Sequence, residues 1–133
     1  MTNTKGAFLL ARLAIATSMF GHGLVRLFKL NGFSAWMVHN FQKSILPEAL
    51  VIPFSYALPF AEFLTGLLLL IGLFTRTALI GGAIVMIILL FGTTMIENWE
   101  AIPTQLIHVT FFAGLLSQLQ YNTFSMDNLI KKS

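Results

Sequence analysis

Five ionisable side chains lie in stretches of this sequence that are otherwise strongly apolar: Arg12, His22, Arg26, Glu62 and His108. Histidine and a carboxylate can each accept and return a proton, and an arginine can hold the negative charge beside them. Together they could form an internal polar pocket that binds a small ligand or passes protons. The same residues could also serve packing alone, as one structural ion pair and two hydrogen-bonded histidines.

Their positions along the predicted helices favour a common meeting place. A carboxylate at bilayer depth costs about 2.5–3.5 kcal/mol on insertion scales, so Glu62 needs a partner in the protein interior. At a rise of about 1.5 Å per residue, His22, Glu62 and His108 reach the same level of the membrane. Helical periodicity also places Arg12, His22 and Arg26 on one face of the first helix. We therefore expect either Arg12 or Arg26 to pair with Glu62.

The composition is that of an integral membrane protein. The chain has 133 residues, 56% of them hydrophobic and 10% charged, with a mean hydropathy of +0.82. This length has room for one domain, and we treat residues 1–133 as a single membrane domain. The net charge is +3, but the basic residues are scattered over helix ends and form no patch, so we expect no nucleic-acid partner.

The apolar runs predict an all-α fold, a bundle of four transmembrane helices. Each run is close to the roughly 20 residues that cross a bilayer. A short amphipathic segment after the first helix is too polar to span, and we expect it to lie at the membrane interface, at about residues 33–45. The predicted spans cover about residues 7–28, 49–74, 78–96 and 103–120.

An even number of spans places both termini on one side of the membrane. That side carries five basic residues, against three on the other side, and the positive-inside rule therefore predicts that both termini are cytoplasmic. We expect a bacterial-type cytoplasmic (inner) membrane, with the lipid bilayer and either a partner protein or further copies of the chain as neighbours.

The sequence contains no cofactor motif. Without cysteine it can supply no thiolate to a metal or a cluster, and it has no carboxylate cluster, so we predict no metal site. The ionisable side chains favour a small ligand or a proton relay. A haem held between His22 and His108 is the less favoured alternative, because Glu62 and the arginines are unusual neighbours for a porphyrin.

Two segments together resemble the DoxX family of small four-helix membrane proteins. The first, RLAIATSMFGHGLVRLF, carries an early arginine and then His-Gly followed by a basic residue. The second, LPFAEFLTGLLLLIGLFTR, carries Pro-x-x-Glu, glycines and Gly-Leu-x-Thr-Arg. The matching positions are Arg12, His22, Gly23, Arg26, Pro59, Glu62, Gly66, Gly72, Leu73, Thr75 and Arg76.

The resemblance implies a link to redox chemistry. The family is named for a small subunit associated with a terminal quinol oxidase and with thiosulfate:quinone oxidoreduction, and other members resemble membrane anchors or chaperones. Because this chain has no cysteine, we expect at most an accessory subunit of a quinone-linked oxidoreductase. With the redox link that the resemblance implies, we expect the pocket to hold a quinone-like head group or to relay its protons, because histidine and a titrating carboxylate can supply the donor and the proton source that a quinone needs. The alternative is a non-catalytic scaffold, chaperone or anchor, which would bind its partner through exposed aromatic residues such as Trp36, Phe41 and Trp99.

Overall fold

The computed structural model describes residues 2–132, so Met1 and Ser133 of the predicted domain lie outside the described residues. Every element of regular structure in this part of the chain is helical. Three of the helices, α1, α3 and α4, are long and apolar enough to cross a membrane. The six α-helices are α1 (Asn3–Phe28), α2 (Leu30–Phe41), α3 (Glu48–Ile71), α4 (Thr75–Met95), α5 (Ile102–Ser117) and α6 (Met126–Lys132).

The helices pack in a closed order around one apolar core. Helix α1 lies along α3, α3 packs on α4, α4 on α5, and α5 returns to α1. The core between them includes Ala16, Met19, Leu69, Leu79 and Phe112, all nearly inaccessible. Large apolar side chains of these helices, such as Leu64, Ile84 and Ile107, are also exposed on the outside of the bundle.

Helix α2 covers the end of the structure opposite the termini. It packs on α3 through Phe33 and Met37, which form a second apolar cluster with Val51 and Leu58 of α3. A buried pair of hydroxyls adds a polar contact: Ser55 Oγ donates to a carbonyl of its own helix, so Ser34 Oγ donates to Ser55 Oγ, at 2.6 Å. Both kinds of contact fix α2 against the ion pair described below.

The observed helix ends differ from the predicted ones for identifiable reasons. Helix α2 ends at Phe41 rather than residue 45, because the Ser44 hydroxyl takes the Phe41 carbonyl as its acceptor at 2.7 Å. Helix α3 ends at Ile71 rather than residue 74, because Gly72 adopts a left-handed conformation with φ of +70°. The predicted fourth helix, about 103–120, ends as an α-helix at Ser117.

The C-terminal segment folds back onto the turn between α3 and α4. Asp127 accepts hydrogen bonds from the backbone N–H groups of Phe74 and Thr75, at 2.7 and 2.8 Å, and its own N–H donates to the Gly72 carbonyl at 2.9 Å. These bonds satisfy N–H groups that the start of a helix leaves without partners. Helix α4 consequently begins at Thr75, three residues before the predicted start. We call Asn122, Ser125 and Asp127 the C-terminal clasp.

Candidate functional site

The centre of the site is an ion pair between α1 and α3. Arg26 Nη1 donates to Glu62 Oε1 at 2.6 Å, and the side chains are 25% and 3% exposed, respectively. The guanidinium also lies over the ring of Phe33 from α2, 4.6 Å from its centroid, a favourable cation–π geometry. Of the two arginines that the sequence offered as partners for Glu62, Arg26 is the one that pairs with it.

Two glycines bring these helices close enough for the pair to form. A side chain at Gly23 would overlap the backbone of Phe63, and one at Gly66 would overlap the backbone of Phe20. The rings of Phe20 and Phe63 lie beside this contact, with centroids 5.0 Å apart. Each helix thus presents a Phe-x-x-Gly unit to the other, and the close crossing places Arg26 within reach of Glu62.

The two histidines come from α1 and α5 and face each other. Their ring centroids are 6.2 Å apart and the rings are nearly perpendicular. His108 Nδ1 donates to the Thr104 carbonyl at 2.8 Å, so in the neutral ring Nε2 is an acceptor and takes the hydrogen of the Ser18 hydroxyl, also at 2.8 Å. Both nitrogens of His108 are therefore engaged.

His22 has a different pattern of hydrogen bonds. Its Nδ1 donates to the Ser18 carbonyl at 2.7 Å, which leaves the neutral ring with an unshared pair on Nε2. Within residues 2–132, no hydrogen bond satisfies this nitrogen or the second carboxylate oxygen of Glu62. These two atoms are the acceptors that the site leaves open.

The four side chains line one partly open cavity of about 250 Å³, and of the four His22 is the exposed one. Thr104 and Gln105 of α5 also line it, with Met19 of α1 and Met86 of α4 as apolar walls. Gln105 Nε2 donates to Thr93 Oγ1 at 2.8 Å, while the Thr93 hydroxyl donates onward to a carbonyl. The amide orientation is thereby fixed, and Gln105 Oε1 is buried with no hydrogen-bond partner among the described residues.

Arg12 does not join this group. It lies ten residues before His22, about 15 Å along the helix axis, at the end of the structure that holds the termini. Its side chain is buried, and Nη1 donates to Asn122 Oδ1 at 2.8 Å, while Asn122 Nδ2 donates to Thr75 Oγ1 at 3.1 Å. Arg12 therefore binds the C-terminal clasp, not Glu62.

Ser18 and Gln105 are neighbours of the histidines that the sequence did not single out. Ser18 lies four residues before His22, so helical periodicity could have placed it beside that histidine. Gln105 could have been found in the same way, since it precedes His108 by three residues. Its partner Thr93 could not, because the packing of α5 against α4 decides that contact.

A metal ion and a haem each require particular donor atoms. In the part of the chain that the structure describes, no group of three or more His, Asp or Glu side chains could hold a metal ion. A haem iron would need a free nitrogen from each histidine. The bonds of His108 to Ser18 and Thr104 occupy both of its nitrogens, so ligation by His108 would require one of them to break.

Comparison with known families gives one match that decides the membership. The family model described as DoxX matches residues 7–96, which is more than half of the chain. The chain belongs to the DoxX family. In this DoxX protein the match runs from residue 7, within α1, to the end of α4 and stops before α5, so His108 and the C-terminal clasp lie outside it. No curated protein and no solved structure matches the chain.

Family and composition together establish a membrane protein. The two helices that carry the ion pair, α1 and α3, are among the three that are long and apolar enough to cross a membrane. Lipid offers neither charge nor hydrogen bonds to such groups, which explains why the pair is turned inward, away from the exposed leucines and isoleucines of the same helices.

Proposed function

We propose that this DoxX protein is a small membrane subunit linked to quinone redox chemistry, and that the cavity beside the ion pair binds a quinone-like head group or relays its protons. We call this space the inner cavity. The observation that carries the proposal is the pair of open acceptors, His22 Nε2 and the second oxygen of Glu62, in the wall of one cavity. The two hydroxyl groups of a quinol could donate hydrogen bonds to these atoms. Either atom could then accept the proton that leaves when the ring is oxidised.

The hydrogen bonds of the site support this assignment of roles. Arg26 stabilises the charge of Glu62, and Ser18 holds both histidine rings, giving its hydroxyl hydrogen to His108 and accepting at its carbonyl from His22. These contacts orient the acceptors before a ligand arrives. Gln105 also lines the cavity, and its Oε1 is a further acceptor without a partner among the described residues, although that atom is buried. With no cysteine in the chain, we propose that a partner oxidoreductase supplies the electron acceptor or donor.

The test is direct binding of a short quinol to the purified protein in nanodiscs. We expect Glu62→Gln and His22→Ala each to weaken binding of tetramethylbenzoquinol clearly. His39→Ala and Glu100→Gln are matched controls, because both residues are exposed and neither lines the cavity. Binding that is unchanged in the two cavity variants, or reduced equally in the controls, refutes the proposal. Size-exclusion chromatography of each variant separates lost binding from lost folding.

We further propose a four-span topology, with α5 as the fourth span and α2 at the membrane interface. We also propose that the membrane is a bacterial-type inner membrane and that both termini are cytoplasmic. The 16 residues of α5 extend about 24 Å, and 3₁₀ turns at Trp99–Ala101 and Leu119–Tyr121 adjoin its ends. Its packing between α1 and α4 supports its placement in the bilayer. Alkaline phosphatase fused to the C-terminus should be inactive, and green fluorescent protein there should fluoresce. The opposite pair of results refutes the orientation.

Exposed aromatic residues favour a second candidate, a scaffold or anchor for a partner protein. Trp36 and Trp99 are 56% and 59% exposed. Phe41 is a poorer candidate than the sequence indicated. Its ring packs close to Gly92 of α4 and is partly buried against the second apolar cluster. If Trp36→Ala and Trp99→Ala abolish capture of a partner from native membranes while Glu62→Gln does not, the scaffold is the better description.

A further inference from the structure

A second, larger cavity lies beside the first, on the outer side of α1. It is an open groove of about 770 Å³. One face of α1 forms its floor from Thr17 to Lys29, a distance of about 18 Å along the helix. Gly32, Phe33 and Trp36 of α2 close its far end. We call it the α1–α2 groove.

The groove and the inner cavity share two residues. His22 and Arg26 line both spaces, so these side chains stand between them. The floor of the groove is open at Gly21, where an added Cβ would have no atom within 4 Å. No carboxylate lines the groove, and Val25, Phe33 and Trp36 give it apolar surface. Its lining therefore suits a hydrocarbon chain that ends near His22.

The sizes of the two spaces suggest how they divide a ligand. Complete sites for drug-sized molecules have about 300–1,000 Å³, and the inner cavity, at about 250 Å³, has room for a ring but not for a ring with a long chain. A chain attached to a bound ring must leave the cavity. The side formed by His22 and Arg26 opens toward a groove that can take it.

We propose that the α1–α2 groove holds the hydrocarbon chain of an amphiphile whose head group occupies the inner cavity. The ligand class is then a long-chain quinone or quinol that enters sideways from the membrane, its chain passing from lipid into the groove without crossing water. This inference rests on the proposed function, because it assumes that the inner cavity binds a quinone-like ring. It assigns Gly21 the role of keeping the groove open beside His22.

The experiment compares two ligands that differ only in the presence of a long chain, decyl-substituted and unsubstituted trimethylbenzoquinol, in nanodiscs. Gly21→Trp should fill the groove. It should weaken binding of the decyl compound by about tenfold or more, equivalent to about 1.4 kcal/mol, and leave binding of the unsubstituted compound unchanged. Gly114→Trp is the matched control, because Gly114 is an equally open glycine that lines neither space, and it should change neither affinity.

Two other results of the binding experiment would overturn the proposal. If Gly21→Trp leaves both affinities unchanged or lowers both equally, the groove is not the site of the chain. If the wild-type protein binds neither compound, the proposed function itself fails and takes this inference with it. Should Gly21→Trp not fold, Val25→Trp fills the same groove from an exposed position one turn further along α1. The same loss of chain selectivity is expected.

Discussion

We expect substitution of Arg26 and substitution of Glu62 to lower the free energy of unfolding by different amounts. Arg26→Met leaves Glu62, which is 3% exposed, as a buried charge without its partner. Breaking a buried pair in this way costs about 3–5 kcal/mol of folding free energy. Glu62→Gln keeps an amide oxygen that can still accept from Arg26, and Arg26 is 25% exposed, so it can also turn toward water or headgroups. We expect a loss of about 1 kcal/mol, the difference between a charged and a neutral hydrogen bond.

Equilibrium unfolding in mixed micelles, followed by tryptophan fluorescence, measures these differences. Trp36 and Trp99 both lie outside the contact between Arg26 and Glu62, so neither substitution removes the probe. The double variant Arg26→Met/Glu62→Gln should be more stable than Arg26→Met alone, because it removes the uncompensated charge.

Three results would contradict this reasoning. Equal losses for the two single variants would mean that the pair is solvated in the membrane and that its unequal burial has no energetic weight. A larger loss for Glu62→Gln would mean that the carboxylate has a second partner. Additive losses in the double variant would mean that Arg26 and Glu62 do not interact in the folded protein.

Three further predictions concern the crossing of α1 and α3, the C-terminal clasp and the histidines. Gly66→Ala should destabilise the protein by about 1–3 kcal/mol through overlap with the backbone of α1, whereas Gly114→Ala, which meets open space, should not; thermal unfolding in detergent compares them. Asp127→Ala removes the acceptor for two N–H groups at the start of α4 and should cost about 1–2 kcal/mol, with faster proteolysis of the C-terminal segment than in the exposed-residue control Glu100→Ala. Ser18→Ala removes the donor to His108 and should shift the ¹⁵N resonance of His108 Nε2; an unchanged resonance would show that this bond does not form.

The burial of Glu62 could be anticipated from sequence because the membrane makes it obligatory. A charged side chain in a long apolar helix has few alternatives to an internal partner, and helical rise and periodicity then limit which side chains can reach it. The same reasoning placed His22 and His108 at one depth, where the structure has their rings 6.2 Å apart. Periodicity could not decide which arginine pairs with Glu62, because Arg12 and Arg26 lie on the same face of α1.

The contacts of Arg12 could not be anticipated because they depend on chain reversal near the C-terminus. Asn122 is 110 positions away from Arg12 in sequence, and the segment that carries it has no apolar periodicity to fix its course. The turn at Gly72 and the early start of α4 also depend on where the C-terminal segment lies. A glycine can indicate that a helix ends, but the acceptor that begins the next helix is Asp127, from a distant part of the chain.

The two arginines of α1 show that the sequence pattern shared with the family serves two separate parts of the structure. Arg12 and Arg26 are fourteen residues apart, about 21 Å along the helix, and they bind opposite ends of the structure. The half of the pattern with Pro-x-x-Glu serves the ion pair, since Glu62 meets Arg26 there. The half with Gly-Leu-x-Thr-Arg serves the C-terminal clasp: the space at Gly72 is limited by Ser125 and Arg12, and Thr75 accepts from Asn122. Because these contacts are separate, substitutions at Arg12 should loosen the clasp without changing the cavity, while those at Arg26 should affect the cavity first.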